Sequence, residues 1–387
     1  VTVPDVFSPA RLGPLTLRNR VIKAATFEHM APGALVSDDL IEFHRAHAAG
    51  GVGMTTVAYC AVAPEGRTER DQILMRPEAL PGLRRLTEAV HAEGAAVSAQ
   101  IGHAGPVANG RSNGVHGLGA SVFFNPMSMQ KIRTATAADI ERITKAHADA
   151  ALLAVEAGFD AVEIHMGHNY FTSSFLSPKL NRRKDGFGGS LANRAKVALG
   201  VARAVREAVG ERIAILAKLN MDDGVSGGLR PGESVQVAAW LERDGSVDAL
   251  ELTAGSSLLN PMYLFRGEAP VKEFAEVFSQ PLRAGIKLGG KKFLHAYPYR
   301  EAFLLETARL FRAELRLPLV LLGGITGRAT MDKAMAEGFE FVAMARALLR
   351  EPDLLERLQK DPATPSLCTH CNRCMPTTFT KTNCVLA

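Results

Sequence analysis

From Asn19 onward, short apolar strands alternate with longer amphipathic helices, and eight such pairs can be counted. The strands predicted are Arg20 to Ala25, Val52 to Ala61, Ala95 to Ile101, Phe159 to His165, Ile213 to Leu219, Val247 to Leu252, Leu319 to Leu322 and Phe339 to Ala345. The helices predicted between and after them include Asp38 to Ala49, Leu80 to Glu93, Ala137 to Ala157, Leu191 to Val209, Glu233 to Arg243, Glu301 to Glu314, Ala329 to Glu337 and Pro352 to Lys360. Eight strand-helix units argue for a closed parallel (β/α)8 TIM barrel. A doubly wound open sheet is the alternative. The number of units and the absence of an early G-x-G-x-x-G turn count against it. Ahead of the barrel, Phe7 to Leu17 carries Pro9, Gly13 and Pro14 among alternating apolar residues, which predicts a short N-terminal hairpin capping one end.

In this fold the active site forms at the carboxyl ends of the strands, so polar residues there are the informative ones. The run Phe159-Asp-Ala-Val-Glu-Ile-His-Met-Gly-His-Asn-Tyr170 alternates with period two and ends in His165, His168 and Tyr170. A turn through Gly167 would bring the two imidazoles together beside the phenol. That group suits polarising a carbonyl oxygen with N–H donors and delivering a proton from a weak acid of pKa about 10. The plainer reading is three satisfied core and loop residues. Other strands end in Ala25-Thr-Phe27, Tyr59, Gln100 and Lys218. Gly323-Gly324 and Ala345-Arg346 end strands seven and eight, where exposed backbone N–H groups beside a cation can cradle a phosphate.

With 387 residues, 47% of them hydrophobic, the chain can bury one large barrel or two ordinary domains, and no repeat or linker divides it. The net charge of +5 comes from scattered basic residues. It implies mild attraction for anionic ligands and no nucleic-acid partner. No basic n-region precedes an apolar h-region, and no apolar run reaches membrane-spanning length, so a cytoplasmic protein without a membrane partner is expected. Of five cysteines, Cys60 lies in an apolar run and four fall in the last twenty residues. A disulfide framework is not expected in that compartment. Cys368-x2-Cys371-x2-Cys374 with Cys384 can surround a metal or a 4Fe-4S cluster; a cysteine cluster without metal, or zinc, are the alternatives.

His165-x-x-His168-x-Tyr170, followed by Phe175-Leu-Ser-Pro178, Asn181-x-Arg183-x-Asp185, Gly188-Gly-Ser190 and Asn193-Arg194, resembles the Old Yellow Enzyme family of FMN-dependent NAD(P)H oxidoreductases. Asn19-Arg20, Pro64-Glu-Gly-Arg67, His103-Ala-Gly105 and Ala345-Arg346 extend the resemblance over almost the whole chain. It implies FMN across the barrel mouth, reduced by NADH or NADPH and reoxidised by a small-molecule substrate of enone or enoyl type. Carried over by position, Gln100 would meet the flavin's pyrimidine edge and Lys218 its N1 side. Gly323, Gly324, Ala345 and Arg346 would bind the phosphate. His165 and His168 would hold the substrate oxygen and Tyr170 would protonate carbon, with His29 or solvent next in line. A homo-oligomer is also expected.

The sequence departs from the family in places. Ala25, Thr26 and Phe27 stand where a Pro and then a Thr or Cys usually lie under the flavin, and Tyr59 replaces a small residue. Residues 260–299 form a long insertion between strands six and seven, whose aromatics suit either a lid or a satellite core. The barrel is expected to span residues 1–365, with the Cys-rich tail, 366–387, part of the same domain. The resemblance to 2,4-dienoyl-CoA reductase and trimethylamine dehydrogenase implies a 4Fe-4S cluster on the four tail cysteines; those relatives continue into a further nucleotide-binding domain. An ene-reductase is the reading reached, with an amine-oxidising flavin dehydrogenase or demethylase, or a non-enzymatic flavin-binding protein, as alternatives.

Overall fold

The computed structural model describes residues 3–387; Val1 and Thr2, which both the leader reading and the start of the expected barrel include, lie outside them. β1 (Ala10–Leu12) and β2 (Leu15–Leu17) form an antiparallel hairpin. Then come β3 (Val21–Lys23), α1 (Asp38–Ala49), β4 (Met54–Ala61), α2 (Leu80–Ala92) and β5 (Ala96–Gly102). A cap follows, made of α3 (Gly110–Asn113), β6 (Leu118–Gly119), β7 (Phe123–Asn125) and β8 (Gln130–Thr134). The chain continues through α4 (Ala137–Glu156), β9 (Ala161–Met166), α5 (Phe171–Leu176), α6 (Leu191–Val209), β10 (Ala214–Asn220), α7 (Pro231–Asp244) and β11 (Ala249–Thr253). The insertion holds α8 (Met262–Phe265), α9 (Val271–Glu276) and α10 (Leu282–Gly289). Last come α11 (Leu305–Glu314), β12 (Leu319–Leu321), α12 (Arg328–Ala336), β13 (Phe341–Met344), α13 (Arg346–Arg350) and α14 (Leu354–Lys360).

The parallel strands close in the order β3-β4-β5-β9-β10-β11-β12-β13, so the open-sheet alternative falls. Two cores follow from the period-two alternation. Val162, Ile164 and Met166 of β9 face outward onto the helices, while Ala161 faces inward with Met54, Leu216, Ala249 and Phe341. Leu12 and Leu17 of the hairpin join that inner cluster, so the hairpin plugs the end opposite the strand termini that carry the polar residues.

Local chemistry starts the long helices where the pattern predicts. Ser37 accepts the Leu40 N–H at the head of α1, Thr136 and Asp139 form a capping box on α4, and Ser190 caps α6. One boundary shifts: α11 begins at Leu305, not Glu301. The Glu301 carboxylate instead accepts from the hydroxyls of Tyr299, Thr326 and Thr330, which holds the preceding residues in a turn. The 260–299 insertion buries Met262, Phe274 and Leu294 against Met375 of the tail, so it is a packed wall. Among the described residues, no helix is long and apolar enough to cross a membrane.

His147 on α4 is fully buried, donates from Nδ1 to the Ile143 carbonyl, and leaves Nε2 without a partner among the described residues. Burial pushes its pKa down to about 4. A base with a depressed folded-state pKa contributes stability that is present above the unfolded pKa of about 6.5 and lost as pH falls toward the folded value. His147→Leu removes this linkage. Denaturant titrations at pH 7 and pH 5 should show the variant losing about 2 kcal/mol less stability than the parent over that interval.

Candidate active site

At the carboxyl ends of the barrel strands lies one cavity of about 570 Å³, inside the ~300–1,000 Å³ range of ligand pockets. Every cavity residue anticipated from the sequence lines it: Ala25, Thr26, Phe27, Tyr59, Gln100, His165, His168, Tyr170, Lys218, Gly323, Gly324, Ala345 and Arg346. His29 does so as well, with Nδ1 3.1 Å from the Thr378 carbonyl of the tail.

The His165–Tyr170 loop is bent by two consecutive left-handed residues, His168 (φ 57°) and Asn169 (φ 61°). Such a conformation in non-glycine residues needs support from around it. Asn220 of β10 supplies some, its Oδ1 accepting the His168 backbone N–H at 3.2 Å. The Gly167 N–H donates to His165 Nδ1 at 3.2 Å, which leaves the His165 proton on Nε2. That nitrogen stands 3.4 Å from His168 Nδ1, and His168 Nε2 is 2.9 Å from the Thr253 hydroxyl. Burial, then the nearby Lys218 charge, push His168 down to about 3. Burial, His168 and Lys218 likewise hold His165 well below its usual range. Both imidazoles are therefore neutral at physiological pH. The expectation of two N–H donors into the cavity is modified: one proton, not two, lies between the facing nitrogens.

The Tyr170 ring tilts onto His165, with centroids 4.2 Å apart, and meets Tyr59 edge-on at 5.3 Å. Tyr59 is pinned by its hydroxyl, which donates to the Gly66 carbonyl at 2.9 Å. Among the described residues the Tyr170 hydroxyl has no hydrogen-bond partner, and burial raises its pKa, so it stays protonated.

Beneath this group lies a polar layer inside the barrel that sequence reading caught only in part. Gln100, Glu163, Lys218 and Glu251 come from four neighbouring strands, β5, β9, β10 and β11. Gln100 Nε2 donates to Glu163 at 2.6 Å, and Lys218 Nζ pairs with Glu163 at 3.2 Å and with Glu251. Burial alone would lower the Lys218 pKa, but the two carboxylates outweigh it and hold it raised. Burial and then Glu163 raise Glu251. Lys218 is thus a fully ionised cation whose charge is already matched from behind. A charge within an otherwise apolar strand run, as in Ala-Val-Glu163-Ile or Ala-Leu-Glu251-Leu, was the available signal for the two glutamates.

At the other end of the cavity, Gly323 (φ 100°) and Gly324 (φ 78°) make the turn after β12. A Cβ at Gly324 would stand 2.9 Å from the Arg300 carbonyl, so only glycine fits there. Arg346 uses Nη1 to reach the Arg266 carbonyl and Asn372 of the tail; among the described residues its Nε and Nη2 make no hydrogen bond. Free guanidinium donors beside a glycine turn suit a phosphate, so the residues present fit FMN. The insertion and tail add an aromatic wall of Phe274, Phe278, Phe293 and Phe379 that no motif announced.

Cys368, Cys371, Cys374 and Cys384 all line a second recess of about 20 Å³ beside Arg346, and Cys374 also reaches the main cavity. Among the described residues no three His, Cys, Asp or Glu side chains form a group that could hold a metal ion. Burial pushes the Cys374 thiol up to about 11 and raises that of Cys368.

Residues 5–256 match the NADH:flavin oxidoreductase / NADH oxidase family, and the chain belongs to it. It is an FMN-dependent NAD(P)H oxidoreductase of the Old Yellow Enzyme type. It is 54% identical to 4,4'-dithiodibutanoate disulfide reductase of Rhodococcus erythropolis, over 99% of this chain and 95% of that protein. It is 30% identical to NADH oxidase of Thermoanaerobacter brockii over 90% of its own length, but spans only 50% of that relative. Its fold superposes on a complex of 2-naphthoyl-CoA reductase with TM-score 0.85 at 24% identity, over 99% of this chain and 57% of that one.

Lys218→Met would remove the cation from between two buried carboxyl groups, and breaking a buried ion pair typically costs about 3–5 kcal/mol. Adding Glu163→Gln and Glu251→Gln should recover most of that loss. Denaturant melts of the parent, single and triple variants check this, and a single variant as stable as the parent would show the charges to be independent.

Proposed function

We propose that this enzyme is an ene-reductase acting on α,β-unsaturated carbonyl compounds, with Tyr170 as proton donor. The observation that carries the reading is the Tyr170 hydroxyl, protonated, without a hydrogen-bond partner among the described residues and held against His165 in the cavity. Bound FMN would supply the two-electron chemistry that links NADH or NADPH to the substrate's C=C bond. Gly323, Gly324, Ala345 and Arg346 would hold its phosphate, Gln100 its pyrimidine edge, and Lys218 would provide a cation. Ala25, Thr26, Phe27 and Tyr59 line the cavity where its ring would lie. His165 and His168 hold the carbonyl oxygen, and Tyr170 gives its proton to the α-carbon, so hydride and proton together saturate the bond. The aromatic wall keeps water from that proton.

A second reading, reduction of an organic disulfide, is favoured by the Rhodococcus relative. The same groups serve it: hydride goes to one sulfur, the S–S bond breaks, and the leaving thiolate takes the Tyr170 proton. Anaerobic stopped-flow with cyclohexenone and with 4,4'-dithiodibutanoate separates the two, the faster oxidant of the reduced enzyme naming the class. Tyr170→Phe should leave reduction by NAD(P)H nearly intact and slow reoxidation by the true substrate about 10²- to 10⁴-fold. An unchanged rate would move the proton donor elsewhere.

The tail cysteines, in this reading, hold a 4Fe-4S cluster in preference to zinc. The support is the Cys368-x2-Cys371-x2-Cys374 spacing with Cys384, the four thiols lining one recess beside Arg346. Anaerobically purified protein should contain iron and sulfide in parallel with flavin; zinc, or none of the three, would remove the cluster.

A further inference from the structure

The Thr253 side chain ends β11 inside the barrel, fully buried, and among the described residues its hydroxyl has one hydrogen-bond partner, His168 Nε2 at 2.9 Å. Behind it, His165 has no freedom of tautomer, because the Gly167 N–H occupies Nδ1 and the proton must sit on Nε2. The two imidazoles meet at 3.4 Å through His165 Nε2 and His168 Nδ1. A hydrogen bond at that contact requires His168 Nδ1 to accept. His168 then carries its proton on Nε2 and donates it to Thr253.

A carbonyl oxygen placed at the pair imposes the opposite demand. An oxygen only accepts, so to be held by both rings it needs a proton on His168 Nδ1 as well as on His165 Nε2. The neutral His168 has one proton to place, and moving it to Nδ1 leaves Nε2 as a lone pair that must now receive. A hydroxyl can do either, donating its own hydrogen or accepting one. The hydroxyl is what supplies that reversibility: a carbonyl at this position would lock the donor out of the cavity, and a methyl would leave Nε2 unpaired in both states.

We propose that Thr253 is a positioning residue that sets the tautomer of His168, accepting from Nε2 in the resting site and donating to Nε2 when a carbonyl oxygen is held between the two imidazoles. This rests on the reading of His165 and His168 as the oxygen-holding pair. Its consequence is that the second donor is created by the ligand. Resting protein keeps both rings satisfied and avoids two N–H groups facing each other.

The test is the ¹⁵N spectrum of histidine-labelled FMN-loaded protein, in which protonated and unprotonated ring nitrogens are well resolved, with and without cyclohexanone, a ketone that has no C=C bond to reduce. Wild type should show His168 protonated on Nε2 when free and on Nδ1 when saturated with ketone. Thr253→Ser keeps the hydroxyl and should switch alike. Thr253→Val should not switch, and should bind cyclohexanone about five- to tenfold more weakly, the loss of one hydrogen bond's net contribution. An identical His168 tautomer in free and bound wild type, or a switching Val variant, overturns the proposal, and the wild-type comparison stands even if the Val variant fails to fold. Wild type that binds no ketone overturns the oxygen-holding reading and the ligand-driven half with it. The resting half is then judged on the free spectrum, where His168 protonated on Nδ1 overturns it.

Discussion

The ion pairing of Lys218 with Glu163 and Glu251 is the interaction on which the rest of the site depends. A parallel barrel of this size would ordinarily fill its interior with branched apolar side chains. Here one layer is polar, and taking three ionisable groups out of water is repaid only when each is matched in place. The match requires β9, β10 and β11 to stay in register, Lys218 lying directly opposite both His165 and Glu251. The same register that pairs the charges therefore fixes His165 beside Lys218.

The protonation of the histidine pair follows first from burial, and the charged layer adds to it. Burial keeps both His165 and His168 neutral, and the Lys218 charge opposes a second positive charge beside it. A neutral imidazole has a donor and an acceptor face, whereas a protonated one has two donors. Only in the neutral form does the choice of nitrogen matter, and only then do Gly167 and Thr253, which touch the outer nitrogens, govern what the pair presents to the cavity. The electrostatics of the barrel floor and the hydrogen bonding of the loop are thus one device.

Most of the barrel was legible because its two periodicities differ so clearly. Strand residues buried on both faces read as apolar runs, helices read as stripes, and all eight pairs are present with their bounds shifted by at most four residues. The cavity residues were legible because strand ends in a barrel converge, so polar residues there must meet. What escaped leaves no local period. The strands of the β6–β8 cap are only two to five residues long, too short to set up a readable period, and the aromatic wall is held by contacts between segments far apart in sequence, such as Met375 against Phe274. The proton count between the histidines depends on a 3.4 Å separation that spacing along the chain does not reveal.

The long pattern from His165 to Arg194 divides into two kinds of residue. His165, His168 and Tyr170 face the cavity, but Asn181 donates to the Phe175 and Phe187 carbonyls, Arg183 to those of Ala120 and Ala135, and Arg194 to those of Leu176 and Gly189. These later residues satisfy the backbone of an irregular loop that would otherwise bury unpaired carbonyls. They make the pattern specific without touching a ligand. On the proposed readings its donors would serve a polarised C=C bond and an S–S bond alike, since each needs hydride at one atom and a proton at its neighbour. Choice between substrates therefore falls to surfaces the pattern does not contain: the Phe274, Phe278 and Phe293 face of the insertion and Phe379 of the tail. Asn372 of the tail joins the insertion to Arg346, its side chain bonding the Arg266 and Glu268 carbonyls and the Arg346 guanidinium.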